Sequence, residues 1–259
     1  MGPVFELDIA ALQHWLNQFM WPLMRITGFF MVAPIVSAAV VPARIRLMFS
    51  LLLTMVVAAT LHDLPHPDFL SPQSALLVVQ QLLIGVGMAL FLQLLTQAFV
   101  AFGQMIAMQM GLGFASLNDP VNGISVTSVS QVYLLLSSLL FLAFNGHLVM
   151  IEVLVESFRT LPVGADIGAG RLHTVVGWAS WMFAAGLLMA LPAITALLIV
   201  NLSLGVVTRA APQLNIFAIG FPLMLVLGIV FLWATMGSMM PHFEQFSSEA
   251  LEAMRDWTH

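Results

Sequence analysis

The sequence predicts an all-α integral membrane protein that forms one domain over residues 1–259. Hydrophobic residues make up 61% of the 259 positions and charged residues only 7%, and the mean hydropathy is +1.02. This composition is typical of membrane proteins and not of soluble domains. Six apolar segments approach or exceed the roughly 20 residues that cross a bilayer core. We expect about six long helices, packed as hairpins: Leu12–Val36, Ile45–Leu61, Ser74–Met110, Ser125–Val149, His173–Val207 and Ile216–Met240.

The positions of the arginines predict the orientation of the helices. Short loops on the cytoplasmic side of a membrane are enriched in Arg and Lys. Arg44 and Arg46 follow the first apolar segment, and Arg209 follows the fifth. The loops after the first and fifth segments are therefore expected in the cytoplasm, and the N-terminus is expected outside.

Two of the apolar segments are too long for a simple crossing. A helix over Ser74–Met110 would run about 55 Å at 1.5 Å per residue, well beyond a hydrocarbon core of roughly 30 Å. We expect it either to break near Gly85–Gly87 or Gly103, or to continue into a protein environment outside the lipid. His173–Val207 poses the same problem, with Pro192 as a candidate kink. An apolar helix projecting into water would be unstable, so burial against partner subunits is expected.

The residue types exclude most enzyme classes. The chain has no cysteine, which rules out thiolate nucleophiles, disulfides and Cys-ligated metals. Metalloprotease, phosphate-loop and nucleophile-elbow motifs are absent as well. His147, Glu152 and Glu156 could form a metal or proton site, but helix capping and interfacial solvation explain them more simply. We therefore predict no enzyme activity, no cofactor and no metal.

Three features of the long third segment bear on function. Gly103, Ala107 and Gly111 lie on one helix face, where small residues allow close helix packing within the chain or between subunits. Gln93, Gln97 and Gln104 form a stripe that should face other helices or a polar lumen. Met105 and Met108 belong to a methionine cluster, which serves either as core filler or as a deformable seal around a pore.

The glycine-rich segment that follows is the strongest candidate for a functional loop. Its glycines free the backbone, its apolar residues supply bulk, and Asn-Asp-Pro is a turn signal. Irregular backbone at membrane depth must be buried in protein or line a cavity. The segment is thus an ordinary loop or an element that occludes a pore. It comprises Gly111, Leu112, Gly113, Phe114, Ala115, Ser116, Leu117, Asn118, Asp119 and Pro120.

A single charged residue interrupts the last third of the apolar sequence. Arg209 precedes Pro212, Gln213 and Asn215, near the predicted end of a long helix. A cation there meets the negative end of the helix dipole, Pro212 stops the helix, and the two amides can bond the freed backbone. From the residues alone, a snorkelling Arg at a membrane surface explains this turn as well as a specific function does.

This turn also carries a family resemblance. Arg209-Ala-Ala-Pro-Gln-Leu-Asn-Ile-Phe217 and Gly220-Phe-Pro222 resemble the signature of the flagellar FliR family, which includes the export-gate proteins of virulence type III secretion systems. The resemblance extends over nearly the whole chain, through Asp119-Pro120 and Asn145-Gly-His147. One departure is the lack of an acidic residue in the third segment, where Gln80 and Gln81 stand and relatives can carry Glu.

The resemblance implies a subunit of a flagellar export gate in the bacterial inner membrane, within the basal body. It implies assembly with several copies of FliP and FliQ into a helical heteromeric complex, with FlhB bound nearby, and passage of unfolded flagellar proteins. The loop from Gly111 would be the channel plug, Met105 and Met108 part of the adjoining seal, and Arg209 to Asn215 a turn at the gate entrance. The alternative is a small-solute or proton-coupled transporter, which should carry paired intramembrane charges; an intramembrane enzyme is a third class.

Overall fold

Seven helices account for nearly all of the residues that the structure describes. The computed structural model describes residues 9–61, 64–65, 71–113, 127–211 and 216–259, and no strand occurs among them. The helices are α1 (Ile9–Val32), α2 (Ala43–Ala58), α3 (Pro72–Gln109), α4 (Ser128–Ala143), α5 (Gly146–Thr160), α6 (Gly168–Ala210) and α7 (Ile216–Thr258). The predicted all-α class is confirmed.

The long helix α3 is continuous, so of the two predicted alternatives the break near Gly85–Gly87 or Gly103 is wrong. Its start follows ordinary capping chemistry: the Ser71 hydroxyl accepts a hydrogen bond from the Ser74 amide at 3.2 Å, and Pro72 occupies the first helical position. The helix has 38 residues, about 57 Å at 1.5 Å per residue. The glycines do not break α3 because they lie at sites of close helix packing. A Cβ on Gly85 would overlap the carbonyl oxygen of Arg25 on α1.

Two of the predicted segments differ from the observed helices by more than a few residues at their ends. Ser125–Val149 is not one helix, because α4 and α5 meet at an angle of 69°. Asn145 at the junction has a φ of 58°, in the left-handed region where Asn is among the few residues tolerated. The last helix continues past Met240 to Thr258. Both α6 and α7 have 43 residues and contain internal prolines.

Three helices are long and apolar enough to cross a membrane: α3, α6 and α7. The bent pair α4–α5 adds a fourth if it counts as one span. Among the described residues, α1 and α2 are not span candidates by length and composition, in contrast to the six crossings that hydropathy suggests. With 16 residues, α2 is too short.

The chain divides into two compact units. The first comprises Met1–Gln93, Asn145–Gly177 and Glu249–His259, and the second Leu94–Phe144 and Trp178–Ser248. In the first unit the largest fully buried side chains include Trp21, Arg25, Phe29 and Phe30 of α1. Phe91 of α3 packs on Trp257 at a ring-centroid distance of 6.2 Å. In the second unit Phe99 packs on Phe243 at 5.6 Å.

Candidate functional site

The end of α3, where the candidate loop begins, is held by a Schellman motif. Gly111 has a φ of 84°, the left-handed conformation that this cap requires. Its amide donates to the Met108 carbonyl at 3.1 Å, and the Leu112 amide donates to the Ala107 carbonyl at 3.0 Å. The first residues of the predicted loop are thus the C-terminal cap of α3, and the helix has a defined end.

The point at which the chain returns to α4 is tied to the same part of α3. The Gln104 side-chain oxygen accepts hydrogen bonds from the Thr127 amide at 3.1 Å and from the Ser130 hydroxyl at 3.0 Å. Thr127 in turn caps α4, where its side chain accepts from the Ser130 amide. Both ends of the intervening segment are therefore anchored to the last two turns of α3.

The small residues on this face of α3 pack within the chain. A Cβ on Gly103 would lie 2.8 Å from the Ser130 Cα, and Ala107 is fully buried. Next to Gly103, the Phe102 ring meets Tyr133 edge-on at 4.7 Å. Small size at position 103 lets α3 and α4 approach closely enough for the Gln104 hydrogen bonds to form.

The methionines near the end of α3 have different surroundings. Met108 is 57% exposed, Met105 is half-buried and Met110 is buried. A Cβ on Gly228 of α7 would fall on the Met110 side chain, so this glycine makes room for it. Of the two methionines of the predicted pore seal, Met108 is thus exposed among the described residues and Met105 is half-buried, whereas Met110, which is not part of that prediction, is used in packing.

The structure describes only part of each predicted functional segment. Of the predicted plug, Gly111, Leu112 and Gly113 are described, and residues 114–120 lie outside the described residues. Of the predicted gate-entrance turn, Arg209 is described, while Pro212, Gln213 and Asn215 are outside.

Arg209 is exposed in the last turn of α6 and borders a concave surface on that helix. The concavity has a volume of about 420 Å³ and is lined by six residues that recur at helical spacing, so they share one face. A Cβ on Gly205, at its centre, would meet nothing within 4 Å. This lining, which we call the α6 stripe, comprises Leu198, Asn201, Leu202, Gly205, Val206 and Arg209.

A buried cation in the first unit is the main feature that sequence reasoning missed. Arg25 on α1 is fully buried. Its Nη1 donates to the Ser157 carbonyl at 2.8 Å, and its Nη2 donates to the Leu161 carbonyl at 2.9 Å. Its Cζ atom lies over the Phe158 ring, 4.3 Å from the ring centroid. These carbonyls belong to the last turn and C-cap of α5, so the charge meets the negative end of a helix. In the sequence, the signal for this buried site is an Arg within an otherwise apolar segment.

A further hydrogen bond of Arg25 is made with one of the two adjacent glutamines in α3. The Gln81 side-chain oxygen accepts from Arg25 Nε at 2.8 Å, whereas Gln80 donates to the Ala165 carbonyl. A neutral amide thus stands where a carboxylate would pair with the buried guanidinium. Within the described part of the chain, Gln81 Nε2 and both amide atoms of Asn17 are buried without a hydrogen-bond partner.

One of the acidic residues considered as a metal site has another partner. Glu156 pairs with Arg255 at 3.5 Å on the surface of the first unit. Across the described ranges, no group of three or more His, Asp or Glu side chains could hold a metal ion.

Comparison with known proteins gives a consistent family match. The sequence profile of bacterial export proteins, family 1, matches residues 16–250. The flagellar biosynthetic protein FliR of Escherichia coli K12 is 39% identical over 245 residues, which cover 93% of this chain and 93% of its own length. FliR of Pectobacterium carotovorum is 38% identical, covering 94% of this chain and 93% of its own, and FliR of Buchnera aphidicola (Schizaphis graminum) is 32% identical, covering 91% and 92%.

Proposed function

Because the chain belongs to family 1 of the bacterial export proteins and is a component of the flagellar export apparatus, we propose that it is a subunit of the export gate. In this role it assembles with FliP and FliQ in the inner membrane of the flagellar basal body, with FlhB as a further partner. Together they form the channel through which unfolded flagellar proteins leave the cell. The single domain over residues 1–259 acts as a structural part of the channel, and it needs no cofactor.

The exposed apolar length of the helices is the observation that carries this proposal. At 43 residues, α6 runs about 64 Å, twice a hydrocarbon core of roughly 30 Å, and its charged residues, Arg171 and Arg209, lie near its two ends. The α7 helix also has 43 residues, of which the 25 from Ile216 to Met240 are uncharged. In their most apolar windows, only 33% and 17% of residues are buried. Lipid can cover only part of this surface, so the rest needs protein partners.

The α6 stripe supports a helix of a neighbouring subunit as one such partner. It combines Leu202 and Val206 with Gly205, and small residues are what membrane helices use for close approach. Arg209, at one end of the stripe, has no ion pair among the described residues. We assign it, with Pro212, Gln213 and Asn215, to the turn that orders the gate entrance.

The anchoring of the glycine-rich loop supports its role as the plug. A loop that seals a pore must occupy one position when closed, and fixed ends limit where it can go. Here the Gly111 cap and the Gln104–Thr127 hydrogen bond fix both ends on α3. We propose that Gly111–Pro120 closes the channel, and that Met105 and Met108, beside its origin, belong to the seal.

Replacement of residues 114–120 by a glycine-serine sequence of equal length tests the plug. The Gly111 cap and Thr127 remain in this variant, so α3 and α4 keep their ends. Cells that express the complete gate with this variant should leak ions and small dyes, because the bulky seal is gone. The measurement is dye uptake by such cells.

The matched control replaces residues 162–167, the short connection between α5 and α6, in the same way. This control should leave permeability unchanged, because no channel role is assigned to that loop. Equal permeability of the plug variant and the unmodified gate, at equal amounts of assembled complex, would reject the plug.

A further inference from the structure

The short helix α2 buries its small and polar residues and exposes its large apolar ones. Four residues of α2 are buried, and their spacing places them in a narrow seam along one face of the helix. They are Ser50, Thr54, Val57 and Ala58. The opposite side is a wide arc of large side chains, each 55–66% exposed. This outer arc includes Ile45, Met48, Leu52, Met55 and Val56.

The seam of α2 is used for packing on α1. Gln18 on α1 donates to the Ala58 carbonyl at 3.2 Å, which places the start of α1 beside the end of α2. The two helices therefore form an antiparallel hairpin. Between Ile45 and Val56 the only small hydroxyl residues are Ser50 and Thr54, and the stretch has no glycine or alanine. All the residues suited to close helix contact thus face α1.

The outer arc of α2 differs in chemistry from the α6 stripe. The stripe has a glycine, an amide, a cation and a concave surface, which suit a partner helix. The arc has only large apolar side chains. Their exposure to water would be costly, and their bulk prevents close approach of another backbone. Fluid acyl chains are the environment that covers such a surface.

The two ends of the hairpin carry the residues that mark membrane interfaces. Arg44 lies in the first turn of α2, is exposed and has no hydrogen bond or ion pair with the described residues. Arg46, by contrast, donates hydrogen bonds to the Val36 and Val41 carbonyls. At the other end Trp15 is 63% exposed. Trp is enriched where acyl chains meet headgroups, and Arg near short loops favours the cytoplasmic side.

The spacing of these two residues matches a bilayer. Arg44 lies 14 residues before Ala58, and Trp15 lies three residues before Gln18, the partner of Ala58. At 1.5 Å per residue, the two levels are about 25 Å apart along the hairpin. This is close to a hydrocarbon core of roughly 30 Å.

We propose that the α1–α2 hairpin is a lipid-facing anchor of the protein. The outer arc of α2 contacts acyl chains, Arg44 binds phospholipid phosphate at the cytoplasmic surface, and Trp15 lies at the opposite interface. This inference does not depend on the plug. It assigns lipid to a hairpin whose helices are not span candidates by length and composition.

The absence of cysteine in the chain allows a direct test. Single cysteines at Met48, Leu52 or Met55 are labelled with an environment-insensitive fluorophore. The labelled chain is then placed, within its full export complex, in nanodiscs of phosphatidylcholine with brominated acyl chains. Labels at these three positions should lose most of their fluorescence, because bromine quenches by contact.

The control is the same labelled complex in nanodiscs of unbrominated phosphatidylcholine, which sets the unquenched fluorescence of each label. Labels on α2 that keep this fluorescence when the acyl chains are brominated, or that cross-link to another protein of the complex, would overturn the lipid assignment.

The headgroup contact has its own test in the Met48→Cys background. Arg44→Gln should lower the preference of this site for brominated phosphatidylglycerol over brominated phosphatidylcholine about fivefold, the effect of one cation near an anionic surface. Arg159→Gln removes an exposed charge from α5 and should leave the preference unchanged. Equal preference before and after Arg44→Gln would contradict the phosphate contact.

Discussion

At the scale of single residues, the buried guanidinium of Arg25 shows how this chain tolerates a charge without a carboxylate. Its hydrogen bonds go to Gln81, to Ser157 and to the Leu161 carbonyl. The negative end of the α5 dipole and the Phe158 ring supply the rest of the compensation. A buried charge is tolerated only when it is hydrogen-bonded in this way. Arg25 therefore links α1, α3 and α5 within the first unit.

Substitution of Gln81 by Glu should stabilise this unit. The new carboxylate would keep the acceptor for Arg25, add a charge-assisted bond and remove the unpaired Nε2 donor. Charge-assisted bonds are about twice as strong as neutral ones, so we expect a gain on the order of 1–2 kcal/mol. Thermal unfolding of the purified complex measures it.

The neighbouring Gln80→Glu variant is the control for this prediction. It loses the donor to the Ala165 carbonyl and gains no cation, so it should be less stable than the unmodified protein. If Gln81→Glu lowers the unfolding temperature as much as Gln80→Glu does, Arg25 is not the partner that decides its stability.

Sequence reasoning singled out Gln80 and Gln81 but could not join them to Arg25. The residues that meet at this charge are 56 and 132 positions apart. Periodicity and turn chemistry report on neighbours along the chain and not on contacts at such separations. By contrast, Gly111 ends α3 in the conformation for which glycine is favoured, a local effect that the sequence carries.

At the scale of helices, close packing of α1 on α3 depends on two glycines. A Cβ on Gly28 would lie 2.7 Å from the Leu82 carbonyl oxygen, and one on Gly85 would overlap the Arg25 carbonyl. Both obstacles are backbone atoms, which cannot move aside as a side-chain tip can. The separation of α1 and α3, and with it the Arg25–Gln81 hydrogen bond, therefore depends on the missing side chains.

Gly85→Ala should accordingly destabilise the protein, by about 1–3 kcal/mol or more, as overpacking does. The control is Gly177→Ala in α6, where an added Cβ meets nothing within 4 Å. It should stabilise by up to about 1 kcal/mol through helix propensity. The unfolding temperatures of the two purified variants give the comparison. A stable Gly85→Ala variant would show that the two helices have room to separate.

The predicted helices matched the structure where the apolar runs were long. They differed where an amphipathic segment or a turn signal followed an apolar run. Hydropathy ended the last helix at Met240, but α7 continues as an amphipathic helix that buries Phe246, Ala250, Met254 and Trp257. The bend between α4 and α5 was missed because both sides are apolar, although Asn145-Gly146 is a turn signal. Continuity of α3 follows from packing at its glycines, which propensity alone does not report.

At the scale of the whole molecule, the surface left uncovered is the main argument for assembly. The long helices were predictable from uncharged runs, and so was the conclusion that lipid alone does not cover them. The sequence alone does not distinguish the α6 stripe from the outer arc of α2, because both segments have the hydropathy of an apolar helix. Their difference appears only when exposed side chains are known: glycine, amide and cation on one surface, and large apolar groups on the other.

We propose that this chain is one subunit of a heteromeric export gate. Native mass spectrometry of the tagged protein, extracted gently from cells that also express the neighbouring export genes, measures this assembly. We expect a complex with one copy of this chain and several copies each of FliP and FliQ. A stable monomer or homodimer, under conditions that preserve a known gate complex, would contradict it and favour a self-contained transporter.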